Sequence, residues 1–171
     1  MSTWFKSSKT GNATSGTKTA EDPPRRTPTD SSYYDCHGVV NHVKDPNARS
    51  WHYARDVRAQ VQAAGPPASS PAKGRYPSDY WNHGNEVPNL SVPKPYMHVP
   101  INPGQTKPFQ RPTPSGAHRA VYNDNDRAKV DVIYHDPNKP IPAGSKFRPF
   151  SKADYVPKAS TAAATHQPAR R

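Results

Sequence analysis

The sequence predicts an α+β domain, one helix followed by an antiparallel sheet, between proline-rich basic tails. Three observations predict it. A single stretch has helical periodicity, with Ala54, Val57, Val61 and Ala64 on one stripe. Downstream, short runs alternate at the period of a strand. Turn-formers separate those runs, and a helix followed by consecutive antiparallel strands is an α+β order.

Along the chain, residues 1–32 are rich in Ser, Thr, Lys and Pro, with the basic element Asp22-Pro23-Pro24-Arg25-Arg26, and are expected to form a disordered tail. The folded domain is expected over 33–150. Its helix spans Asp56 to Ala64, with Ser50 placed to cap the start and Gly65-Pro66-Pro67 to stop it. A Pro/Ser loop from Pro66 to Lys73 follows. Strands are expected at Arg75–Tyr80, Tyr96–Ile101, Ala117–Tyr122 and Ala128–His135. The tetrapeptide Asn123-Asp124-Asn125-Asp126 reads as a hairpin turn, since these residues tolerate left-handed backbone. From Ser151 to Arg171 the composition returns to Ala/Ser/Thr/Pro/Lys, a second disordered tail.

Composition sets the bounds. With 171 residues, 22 prolines and 32% hydrophobic residues, the chain cannot bury apolar surface along its whole length. A single domain of about 100 residues is what remains. The net charge of +11 favours polyanionic partners, because each neutralised phosphate releases counterions. Cys36 is the only cysteine, so no internal disulfide is possible. No apolar signal-peptide core or membrane span is visible, which fits a cytoplasmic chain or the mature part of a secreted one. A monomer without membrane attachment is expected. Neither metal nor cofactor is expected: His37, His42 and His52 lack metal-ligand spacing, and one cysteine is too few for a structural zinc site. No phosphate-cradling glycine loop or Ser/His/Asp order is present.

Strand alternation brings together a candidate site. Met97, Val99 and Ile101 share one face of their strand, with Tyr96 and His98 on the other. Val130, Val132 and Tyr134 likewise oppose Asp131, Ile133 and His135. If the apolar faces pack on the helix, His98 and His135 look away from the core. Tyr76, Ser78, His98, Arg119 and His135 then line one shallow groove. Either histidine alone fits an ordinary exposed strand residue. Two imidazoles, an arginine and a tyrosine on consecutive strands suit a phosphodiester.

The segments Tyr76-Pro77-Ser78, Tyr96-Met97-His98-Val99-Pro100-Ile101, Gly116-Ala117-His118-Arg119-Ala120-Val121-Tyr122-Asn123 and Val132-Ile133-Tyr134-His135 resemble, in order and spacing, the fungal guanyl-specific ribonucleases and ribotoxins. Asp56-Val57 and Gln62-Ala63-Ala64-Gly65 resemble that family's helix. The resemblance implies the microbial ribonuclease fold, one helix on a curved antiparallel sheet whose other face binds RNA. It implies His135 as general acid, Arg119 as the phosphate-stabilising cation and Tyr76 as a phosphate contact. Two positions depart: the family has histidine at Ser78 and a glutamate base at His98. The family's disulfides are also missing. Either His98 replaces the base, giving a metal-independent endoribonuclease that forms 2′,3′-cyclic phosphates, or the groove binds RNA with weak or absent cleavage.

The family reads its base with the loop after the tyrosine strand, here residues 80–86. Tyr80, Trp81 or His83 could stack on a base, and Asn82 or Glu86 could bond its edge. The alternative is a surface loop whose Trp81 folds back on the core. Together these residues are expected to make an RNA-binding protein, for single-stranded or ribosomal RNA, with a degenerate or rebuilt catalytic groove. A fungal ribonuclease-like effector fits that description. A non-RNA interaction scaffold is the remaining alternative.

Overall fold

The computed structural model describes residues 32–41, 48–67 and 75–158. The expected tails therefore fall largely outside the described residues, as do His42 and most of the Pro/Ser loop. The elements are β1 (Tyr33–Asp35), β2 (Trp51–Tyr53), α1 (Ala54–Ala63), β3 (Ser78–Asp79), a 3-10 turn (His83–Asn85), β4 (Met97–Pro100), β5 (His118–Asn123), β6 (Asp126–His135), β7 (Phe150–Lys152) and β8 (Asp154–Val156). Among the described residues they build an α+β fold with one α-helix and two antiparallel sheets. The larger sheet runs β3-β4-β5-β6-β7 and the smaller β2-β1-β8.

The helix forms where the apolar stripe predicts it, and Ala54, Val57 and Val61 are buried against the large sheet. Its start differs from expectation. Ser50 does not cap it: Trp51–Tyr53 pairs with β1 as a strand, and the chain enters the helix directly from Tyr53 without a side-chain cap. The Ala54 N–H instead bonds the Ser32 carbonyl at 2.9 Å. At the other end no basic residue occupies the last turn. Arg127, from the β5–β6 hairpin, supplies that charge, bonding the carbonyls of Ala64 at 2.6 Å and Val61 at 3.3 Å. Gln60 is buried and fully used, pinning the loop after β4 through Asn102 and Gln105.

The sheet alternates as the sequence requires. Met97, Val99, Ala120, Tyr122, Val130, Val132 and Tyr134 face the helix core. Val121 and Ile133, on the opposite face, join a second apolar cluster with Tyr80, Val87 and Val92. The first strand shrinks from the expected Arg75–Tyr80 to Ser78–Asp79, because Pro77 carries no N–H for the ladder. The hairpin turn sits at 123–126 as expected but works by another device. None of its residues has positive φ; the Asn123 carboxamide accepts the Asn125 N–H at 2.8 Å, and the register shifts at Tyr122/Asn123.

The domain does not end at residue 150. Within residues 151–158 the expected tail gives way to β7, paired with β6, and β8, paired with β1. Between them Ala153 is buried and its N–H bonds the Val132 carbonyl at 2.8 Å. This segment is too short and polar to announce itself, yet it carries the chain from the large sheet to the small one. A chain truncated after Pro149 should therefore lose β7, β8 and the Phe150 packing together. Urea denaturation is expected to show a large fall in midpoint or no cooperative transition, whereas an unchanged midpoint would mean that 150–158 is dispensable.

Candidate functional site

Strand register puts the predicted groove residues on one face. Ser78 pairs with His98, His98 with Val121, Pro100 with Arg119, Arg119 with Ile133 and His135 with Phe150. Because successive strand residues alternate, His98, Arg119 and His135 all point away from the helix. Tyr76 completes the group, its ring 5.3 Å from that of His98 and 5.6 Å from the Arg119 guanidinium carbon. The face is not an open trough. The segment 80–96 covers part of it, anchored by buried Asp131, which accepts bonds from the Ser91 N–H, the Ser91 hydroxyl and the Val92 N–H and pairs with Lys152 at 3.0 Å.

Arg119 is the centre of the site and is only 5% exposed. Its Nη1 donates to the carbonyls of Ser115, Gly116 and His118 at 2.7, 2.9 and 2.8 Å, and its Nη2 to the Ser115 hydroxyl at 3.2 Å. Its buried Nε–H makes no hydrogen bond. Among the described residues no carboxylate lies within ion-pair distance of it. Burial lowers its pKa, opposed by Tyr76, but a guanidinium titrates so high that it stays charged. A buried cation held by neutral carbonyls, without a counter-anion among the described residues, has the electrostatics to attract an anion.

The two imidazoles are neutral beside it. His98 Nε2 lies 2.9 Å from the Ser78 hydroxyl, and the Tyr80 ring stacks on the imidazole at 5.5 Å. Burial, then the charges of Arg119 and His135, push its pKa down to about 3. His135 Nδ1 lies 2.6 Å from the Arg148 carbonyl, which fixes Nδ1 as the donor, and its ring stacks on Phe150 at 4.0 Å. Burial lowers its pKa too, partly offset by that carbonyl. A base whose conjugate acid has so low a pKa takes a proton poorly, and a neutral imidazole cannot act as the acid.

The 80–86 loop separates into inward and outward residues. Asn82, in left-handed backbone, spends its carboxamide on Val87, accepting its N–H at 2.8 Å and donating to its carbonyl at 2.9 Å. Glu86 accepts the Phe150 N–H at 2.6 Å and the Tyr80 hydroxyl at 3.4 Å. Neither is offered freely to a base edge, contrary to expectation, because Asn82 closes the loop on Val87 and Glu86 holds it to β7. Tyr80 is buried against His98 and Phe150. Trp81 does not fold back: it is 71% exposed, with its ring stacked on His83 at 6.4 Å. Asp79, Tyr80, Trp81, Lys94, Pro95 and Tyr96 line an open pocket of about 450 Å³ beside the groove. Lys94, 5.9 Å above the Tyr96 ring, was missed in the sequence because no periodicity marks it. Phe150 was missed because it lies at the edge of the expected tail.

No protein family, curated protein or solved structure matches the chain. Among the described residues no helix is long and apolar enough to cross a membrane.

The depressed histidines have a consequence for stability. His52, buried behind the sheet, and His98 are each pushed from 6.5 to about 3, chiefly by burial. Unfolding frees imidazoles that bind protons below about pH 6.5, while the folded ones stay neutral until about pH 3. Stability should fall as pH drops through that window, by about 1.4 kcal/mol per pH unit for each group. Urea titrations from pH 7 to 4 should show it, with the slope reduced by one group's share in His98→Gln. Equal slopes for His98→Gln and the native chain would mean that His98 titrates normally.

Proposed function

We propose that the Arg119 face binds the phosphodiester backbone of single-stranded RNA, with weak or absent cleavage at neutral pH. The observation that carries this reading is the buried guanidinium without a counter-anion, flanked by Tyr76 and two neutral imidazoles. Local opening around Tyr76 and Arg119 would bring a phosphate to the buried Nε–H, which makes no hydrogen bond in the free protein, and would supply the missing counter-charge. The outward Trp81 and the pocket beside it offer a stacking platform for a neighbouring base. The residue order Tyr76, Ser78, His98, Arg119, His135 supports assigning the domain to the microbial ribonuclease fold, with the groove altered at the base position. The same features are compatible with a ribonuclease-like effector that engages RNA, including ribosomal RNA.

Cleavage would need one imidazole to accept the 2′-hydroxyl proton and the other to protonate the 5′-oxygen. With both pKa values depressed, the pair lacks its acid at pH 7. Any residual activity should therefore peak on the acidic side of neutrality, with both groups contributing.

Two measurements test the reading. Fluorescence anisotropy with a short single-stranded RNA should show Arg119→Ala weakening affinity by roughly 1.5–3 kcal/mol, and Trp81→Ala by roughly 1–3 kcal/mol if one base stacks there. RNA affinity unchanged in a folded Arg119→Ala variant would move the binding site off this face. In a gel assay with EDTA, the native chain should cleave RNA at pH 7 no faster than His98→Ala and His135→Ala. Cleavage well above both variants would make it an active metal-independent endoribonuclease.

A further inference from the structure

On the opposite face of β5, inside the core, three metal-ligating side chains converge from three elements. Cys36 follows β1, His52 lies in β2 and His118 begins β5. All are buried, at 0%, 3% and 0% exposure. One ligand atom from each lies within 4.8 Å of the others. His52 Nε2 and His118 Nδ1 are 2.7 Å apart, with the rings nearly perpendicular at 87°. Sequence spacing hides this cluster, because 66 residues separate the two histidines and His118 belongs to the other sheet.

We propose that Cys36, His52 and His118 bind one thiophilic metal ion, Zn(II) or Cu(I), through one thiolate and two imidazole nitrogens. Thiolate and neutral imidazole are the donors these ions prefer. His52 is held neutral by burial, the state a ligand needs. The frame is rigid: the Asn41 side chain accepts the His118 N–H at 2.9 Å and donates to the Ile101 carbonyl at 2.6 Å, and the Cys36 N–H bonds the Ser50 carbonyl at 2.8 Å. Two nitrogens on one tetrahedral ion sit about 3.3 Å apart, given metal–nitrogen bonds of about 2.0 Å. Binding thus replaces the His–His hydrogen bond with two metal–nitrogen bonds and opens the pair by roughly half an ångström. It also shifts the ring proton of the donor imidazole to its other nitrogen, so that both rings ligate in the neutral form. The thiol proton leaves to solvent as the metal–sulfur bond forms, so the thiolate charge is compensated where burial otherwise opposes it. Trigonal coordination suits Cu(I); Zn(II) would take a fourth, non-protein ligand. The ion would tie the small sheet to β5.

The test uses the untagged, reduced full chain after chelator treatment, titrated separately with Zn(II) and Cu(I). One ion per chain is expected, for one or both metals. The thermal midpoint should rise by roughly 5–10 °C at a hundredfold excess over Kd. Loading with Co(II) should give a thiolate-to-metal charge-transfer absorption, which reports Cys36 in the native chain without any substitution. Cys36→Ser and His52→Ala should each abolish the one-to-one binding. Absence of stoichiometric binding, a bound Co(II) spectrum without the thiolate band, or full binding in Cys36→Ser would overturn the site and leave a hydrogen-bonded histidine pair beside a buried thiol.

Discussion

The fold depends on β5 being a strand buried on both faces. All six residues of His118–Asn123 are buried, which leaves its register no freedom. A slip of one residue would exchange Ala120 and Tyr122, packed against the helix, for Arg119 and Val121, which belong to the other side. The hairpin to β6 and the shift at Tyr122/Asn123 fix that register locally. Pairing with β4 fixes it from the other side and sets His98 beside Val121. The positions of the groove residues, and of His118 behind them, follow from this one constraint.

The same burial decides the chemistry at Arg119. Taking a guanidinium out of water is costly unless dipoles or a counter-charge replace the solvent. Here three carbonyls and a hydroxyl replace it on one side, without neutralising the charge. That uncompensated charge adds to desolvation in holding His98 neutral. On the proposed reading, a buried cation beside neutral imidazoles, with no carboxylate among the described residues to pair with it, attracts an anion more than it moves a proton.

What could be read in the sequence was what is local. The helix stripe of Ala54, Val57 and Val61 and the alternation through Met97–Ile101 and Val130–His135 survive because period and burial coincide there. Tyr76, Ser78, His98, Arg119 and His135 could be gathered because neighbouring strands pair in order. Non-local determinants were hidden. Trp51–Tyr53 becomes a strand only because β1 lies beside it, and Phe150–Val156 only because β6 and β1 are there to accept it. Asn82 and Glu86 look like recognition residues in a polar loop, yet their partners, Val87 and Phe150, consume them. The Cys36, His52 and His118 cluster required a sheet-to-sheet contact that no spacing encodes.

The most direct test of the central claim is an NMR titration of ¹⁵N-labelled protein with a short single-stranded RNA at pH 7. It follows the Arg119 Nε–H and the ring nitrogens of His98 and His135. Phosphate engagement at the buried guanidinium predicts saturable shifts of all three while the RNA stays intact. Saturable RNA binding that leaves these signals unmoved would contradict the account.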